Sequence, residues 1–282
     1  MTQSDATVSV LMAAYNESRT VDVVLRRLLA VAIPLREVIV VDDGSTDRTA
    51  QIVQRVMAED PRVRLVRHGA NRGKTAAIGR ALREATGEIL IVQDADLEYD
   101  PADLPQVIAP IVEGRADVVY GSRFLVRRAT RVLYFYHFLA NRGLTLLSNL
   151  FTNRNMTDIQ TCYKAFRAGI LKPLRLSSSG FGMEVEITAM VCKTKARTYE
   201  VPISYYGRTY AEGKKIGPRD GMMALFYIFY FNLVAPWTAR GRTYVREVNR
   251  WLEAQPAADT ACSNPSRSHP QRAIKGQGLS QR

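Results

Sequence analysis

Two carboxylates one residue apart, Asp94 and Asp96, follow directly on the apolar run Glu88 to Val92. Alternate residues of an extended segment lie on one side, so both acids can point at one place. Glu98 continues the alternation and offers a third acidic oxygen donor. Oxygen ligands of this kind suit Mg²⁺ or Mn²⁺, which are often held by one or two carboxylates together with substrate phosphates. The competing reading is a solvated acidic turn, and a lone Asp-x-Asp does not separate the two.

Three further segments carry chemistry of a compatible kind. Asp42-Asp43-Gly44-Ser45-Thr46-Asp47 places acids at a strand end, where they can accept hydrogen bonds from a base or a ribose. Gly44 permits a tight turn, and Ser45, Thr46 or Asp47 can cap the next helix, which leaves Asp43 as the better ligand candidate. In Ala13-Ala14-Tyr15-Asn16-Glu17 the small residues let a flat base approach the backbone, and Glu17 supplies an acceptor. Asn71-Arg72-Gly73-Lys74 is a basic turn before a helix, suited to phosphate at a helix N-terminus, although GxxxxGK[ST] is absent.

The elements that must position these residues alternate between two periods. Thr7 to Ala13, Glu37 to Val41, Val63 to Val66 and Glu88 to Val92 are apolar runs that read as buried strands. Helical patterns lie between them, starting at Ser18, Asp47 and Lys74. Buried strands alternating with amphipathic helices indicate βαβ units and a parallel sheet, which binds ligands at the carboxyl ends of its strands. All four chemical segments fall at such ends or at the helix that follows.

The second half is less regular. Helices are expected over 101–112, 133–151, 183–191 and 217–233, with a short extension over 245–252. Strands are expected over 117–120, 160–166 and 197–205. From Ala254 on, Pro, Ser, Gln, Arg and Ala dominate without periodicity, so a disordered tail is expected.

The segments AAYNE, VVDDGSTD, NRGK and DADLEYDP, in this order and at these spacings, resemble family 2 glycosyltransferases of the GT-A fold. Among these the chain is most similar to polyprenyl-phosphate sugar synthases of the dolichol-phosphate mannosyltransferase type. The likeness extends through Gly121-Ser122-Arg123, Asp158 to Arg167, and Gly207-Arg208 with Glu212 to Lys215, and so covers roughly 7–220. It implies a Rossmann-like, mainly parallel α/β sheet flanked by helices. The catalytic domain would span 1–220, with C-terminal amphipathic helices over 221–253 and a basic tail over 254–282. It implies transfer of a hexose, with inversion, from a donor of the GDP-mannose or UDP-glucose type to a polyprenyl phosphate. Ala13, Tyr15, Glu17 and Asp43 would hold the nucleoside. Asp94, Asp96 and Glu98 would surround the cation and diphosphate, with Asp96 catalytic. Arg123 and Arg142 would meet the acceptor phosphate, while Arg208, Lys214 and Lys215 would neutralise the donor diphosphate. The alternative is a hydroxyl acceptor in a polysaccharide or glycolipid, which needs a general base, and Asp158 is the candidate. Cys162 and Tyr163 stand where the resembled sequences carry small residues, and Glu98 where many carry Gln.

The net charge of +12 attracts anions such as phosphorylated substrates or an anionic membrane face. No recognised nucleic-acid reader motif accompanies it. Tyr134 to Leu139 and Met222 to Trp237 are apolar and aromatic. Arg127, Arg128 and Arg131 precede the first, and Arg240, Arg242 and Arg246 follow the second. That is the make-up of interfacial helices, although apolar helix faces are as often core or a dimer contact. A bilayer span needs about 20 apolar residues, so neither stretch is expected to cross one. Three cysteines without CxxC spacing argue against a disulfide framework or a zinc site and fit a reducing compartment. No signal peptide is expected from the N-terminal residues. These features point to a cytoplasmic enzyme peripheral to the membrane.

Overall fold

The computed structural model describes residues 6–125, 131, 134–180, 182–207 and 218–255. Its first four strands are the four apolar runs: β1 (Val8–Ala14), β2 (Leu35–Asp42), β3 (Val63–Arg67) and β4 (Ile89–Asp94). Helices α1 (Val21–Leu29), α2 (Thr49–Glu59) and α3 (Lys74–Glu84) connect them. Helix α1 buries Val21, Val24, Leu25 and Leu28 and leaves its arginines outside. Each aliphatic side chain so buried contributes about 1.5–3 kcal/mol.

The chain continues through α4 (Leu104–Val112), β5 (Val118–Ser122), α5 (Phe135–Thr152), β6 (Lys164–Arg167) and α6 (Ala168–Leu171). It ends in α7 (Gly182–Val191), β7 (Thr198–Pro202), α8 (Pro218–Phe229) and α9 (Ala239–Glu253). The strands form one sheet in the order β3-β2-β1-β4-β6-β5-β7. All pairings are parallel except those of β6, which runs antiparallel to β4 and β5. The order reverses at β1, and Ala13 pairs with Asp94 there, so the crevice of an open α/β sheet falls at their carboxyl ends.

Strand β6 is shorter than the expected 160–166. It enters the sheet from the edge where its parallel neighbours end. Residues 158–163 are therefore left as a loop across the strand ends, where they can serve the site. Helix 217–233 also departs from expectation. It gives way to a π turn (Tyr230–Val234) and a 3-10 turn (Ala235–Trp237), and α9 follows as a full helix bent by 78° from the segment before it. Pro236 has no N–H to continue the ladder. Helix α9 packs back on the body: the Arg167 guanidinium lies 4.6 Å from the Trp251 ring centroid, and Tyr244 and Val248 are buried. Among the described residues no single helix is long and apolar enough to cross a membrane.

At the edge opposite the crevice, buried Glu37 accepts hydrogen bonds from Ser9 Oγ (2.8 Å), Thr86 N (2.7 Å) and Arg64 (2.7 Å). Burial alone would raise its pKa, but these donors outweigh it and bring it to about 2.

Candidate active site

The loops after β1 and β2 are stitched together at the carboxyl edge. Asn16, at φ 56°, donates its N–H to Ser45 Oγ (3.0 Å) and accepts from Thr46 N (2.9 Å) through Oδ1. Glu17 N donates to Thr49 Oγ1 (2.9 Å), and Asp47 accepts from Ser18 N and Thr49 N. Burial raises the pKa of Asp47, but the hydrogen bonds from Thr49 and Ser18 overcome it and bring it to about 2. Ala13 is half-buried beside Asp94, Tyr15 is exposed, and Glu17 accepts from Thr20 Oγ1 (3.0 Å). These three therefore edge one crevice with Asp43, but not all with free polar groups.

Asp43 is the case in point. Expected to hold the nucleoside, it has a buried carboxylate that accepts from Arg72 N (3.0 Å) and Gly73 N (2.7 Å), and His68 Nδ1 lies 2.7 Å away. It ties the Asn71-Arg72-Gly73 turn to β2. Gly44 makes the approach possible: at φ +74°, a Cβ there would stand 2.7 Å from the Ala70 carbonyl carbon.

The same turn launches α3 and so places Lys74. Its Nζ lies 2.8 Å from Asp94 Oδ1 and 3.1 Å from Glu184 Oε1. Burial works against the charge of Asp94, but Lys74 outweighs it and holds the pKa below the ordinary range. Asp96 is buried at the strand end, and its Oδ1 accepts from Glu98 N (3.0 Å). Glu98 turns toward Tyr205, whose hydroxyl donates to its Oε2 (2.9 Å). Among the described residues no three His, Cys, Asp or Glu side chains gather as metal ligands; Asp94 pairs with Lys74, and Glu98 accepts from Tyr205.

Across the crevice, β5 ends at Arg123. Its Nε and Nη2 donate to Asp158 Oδ2 (2.7 Å) and Oδ1 (2.8 Å), and its N–H donates to Oδ2 as well (3.2 Å). Asp158 is wholly buried. Asp158, the candidate general base, is thus engaged by a bidentate guanidinium. Burial disfavours the Arg123 charge, but Asp158 more than compensates and raises its pKa well above the ordinary value. The guanidiniums of Arg123 and exposed Arg142 each lie 5.8 Å from the Phe124 ring centroid, so one ring gathers both cations. Arg208, Lys214 and Lys215, along with Arg127 and Arg128, lie outside the described residues.

The sequence profile described as Glycosyl transferase family 2 matches residues 9–175, more than half the chain and every strand end just described except that of β7. The chain belongs to this family. Within family 2 it is 29% identical to the dolichol-phosphate mannosyltransferase of Pyrococcus furiosus, over 74% of this chain and 59% of that protein. It is also 29% identical to the undecaprenyl-phosphate mannosyltransferase of Micrococcus luteus, over 82% of this chain and 96% of that protein. The fold matches the crystal structure of glucosyl-3-phosphoglycerate synthase from Mycobacterium tuberculosis with Mn²⁺ and UDP-glucose. The TM-score is 0.61 at 19% identity, over 80% of this chain and 79% of that one. The sheet is thus of the GT-A kind, in a chain of glycosyltransferase family 2.

Sequence reasoning passed over two groups in this family 2 site. Glu184 sits on α7, a helix buried on every side, where a charge signals a partner. Lys164 is wholly buried, 5.1 Å from the Tyr120 ring centroid, and burial pulls its pKa down to about 8. Their charge within apolar runs was the signal available.

Proposed function

We propose that the chain transfers a hexose, with inversion, from a nucleoside-diphosphate sugar to a polyprenyl phosphate at a membrane surface. The observation that carries this reading is the pairing of Arg123 with Arg142 around Phe124, next to an exposed aromatic helix face. Two guanidiniums beside an apolar surface suit a lipid monophosphate, which binds by bidentate charge-assisted hydrogen bonds. Such a phosphate has a second pKa of about 6 and is already anionic at neutral pH, so no base is required. The clamping of Asp158 argues the same way against a hydroxyl acceptor. The mannosyltransferase names of the two relatives support the acceptor class.

Cation dependence is part of the proposal. Asp94 and Asp96 would hold Mg²⁺ or Mn²⁺ with oxygens of the donor diphosphate, a set in which the protein supplies one or two carboxylates. The ammonium of Lys74 against Asp94 already marks this spot as one that takes positive charge. When bound, the ion supplies neutralisation of the leaving diphosphate. The chain's own share is to seat the nucleoside along Ala13, Tyr15 and Glu17 and to anchor the phosphate-facing turn through Asp43. Arg123 and Arg142 orient the acceptor, and Arg208, Lys214 and Lys215 add charge at the donor. The test is a screen of GDP- and UDP-sugars that follows nucleoside diphosphate release, with and without a short polyprenyl phosphate. Release stimulated by the lipid phosphate is expected; release that ignores it but rises with a sugar hydroxyl sinks the proposal.

The membrane assignment rests on side chains left in water. Phe135, Tyr136 and Leu139 on α5 are 65%, 82% and 53% exposed, and Phe226, Leu233 and Trp237 near α8 are 57%, 52% and 72% exposed. Basic side chains from α9 follow, an arrangement suited to an anionic lipid face. Replacing Phe226 and Trp237 together by Asp is expected to weaken co-sedimentation with phosphatidylglycerol vesicles by about a hundredfold, from lost burial of two aromatic groups. Unchanged vesicle binding, or a dimer in ultracentrifugation that the double variant dissolves, would assign this face to a protein contact instead.

A further inference from the structure

Lys74 occupies the oxygen that a cation would need. Its Nζ is 2.8 Å from Asp94 Oδ1, yet it also reaches Glu184 Oε1 at 3.1 Å. Glu184 comes from α7, 110 residues further along the chain, and its side chain is 3% exposed. Its second oxygen, Oε2, is buried with no hydrogen-bond partner among the described residues. A buried carboxylate kept half-unsatisfied is costly, and a group that persists at such a cost has spare capacity to accept a donor.

This geometry gives Lys74 two places to put its charge. A divalent ion at Asp94 repels the ammonium beside it, and a buried ammonium that merely let go would be stranded. Glu184 removes that penalty, because Lys74 keeps one carboxylate when it leaves the other. The donor diphosphate, arriving at the first turn of α3, adds a third anion that draws Lys74 off Asp94. We propose that Lys74 is a positioning residue that makes cation binding conditional on the donor. It covers Asp94 in the donor-free protein, and Glu184 holds it once the diphosphate and cation arrive together. The inference rests on the proposed role of Asp94 as a cation ligand.

The experiment is Mn²⁺ binding followed by the electron paramagnetic resonance of the free ion, without turnover. Wild-type protein is titrated alone, with GDP and with UDP. It is expected to bind Mn²⁺ about tenfold or more tightly with one of the nucleotides than without, as coupled ligands do. The double variant Lys74→Met with Glu184→Gln removes both charges together and strands neither. Its nucleotide-free affinity for Mn²⁺ is expected to rise about tenfold over wild type, so that the coupling shrinks. Nucleotide-free affinity that stays level or falls overturns the proposal. Should the double variant fail to fold by circular dichroism, Lys74→Gln replaces it with the same expected sign. Failure of the underlying reading looks different: wild type then binds no Mn²⁺ with either nucleotide, or Asp94→Asn leaves binding intact, and the proposal falls with it.

Discussion

Asp96→Ala is expected to lower sugar transfer to a polyprenyl phosphate by about 10²–10³-fold, the usual loss when one electrostatic stabiliser of a developing charge is removed. Asp96 is the second carboxylate of the strand-end pair and is buried at the crevice. Its Oδ1 accepts the Glu98 N–H at 3.0 Å, a local turn that fixes the side chain beside the crevice. The alanine variant loses both the charge and this turn. Asp96→Asn separates them, since an amide oxygen can still accept from Glu98 N while the charge is gone. Both variants are expected to fail alike, because negative charge is what holds the cation that neutralises the departing diphosphate. The readout is the initial rate of nucleoside diphosphate release at saturating lipid phosphate. Full activity in Asp96→Asn would remove this residue from the chemistry.

Arg123→Met is expected to destabilise the fold by about 3–5 kcal/mol, because it leaves Asp158 buried and unpaired. In a chain of this size that corresponds to a fall in Tm of roughly 10 °C. The pair spans the strand end of β5 and the loop before β6, so its loss frees the segment that crosses the crevice. Arg123→Met combined with Asp158→Leu is expected to recover most of the stability, since a buried ion pair exchanged for apolar groups of similar size is often close to neutral. Transfer is expected to stay low in the double variant, because the acceptor phosphate has lost a guanidinium. Calorimetry and the release assay therefore part company. A single variant melting within about 2 °C of wild type would contradict the buried pair. An active double variant would take Arg123 out of acceptor binding.

The sequence by itself determined the first half of the sheet and the location of the site. Four apolar runs with helical patterns between them leave few alternatives to parallel βαβ units. Such units bring Ala13, Asp43 and Asp94 to one edge whatever the details of packing, because periodicity is local and the handedness of the crossover is fixed. The family could be read at the same level, since its signature residues sit on those strand ends. The tertiary structure decided which of the charged groups are engaged. Asp43 looked like a ligand and binds a turn; Asp158 looked like a base and is clamped by Arg123. Lys74 looked like a phosphate group's partner and already bridges Asp94 and Glu184. The direction of β6 was likewise hidden, because an apolar strand buried on both faces reads the same whichever way it runs. The physical reason is common to all of these. A charge has the same side chain paired or free, and pairing depends on residues 35 or 110 positions away being delivered to within about 3 Å, which only the folded chain path arranges.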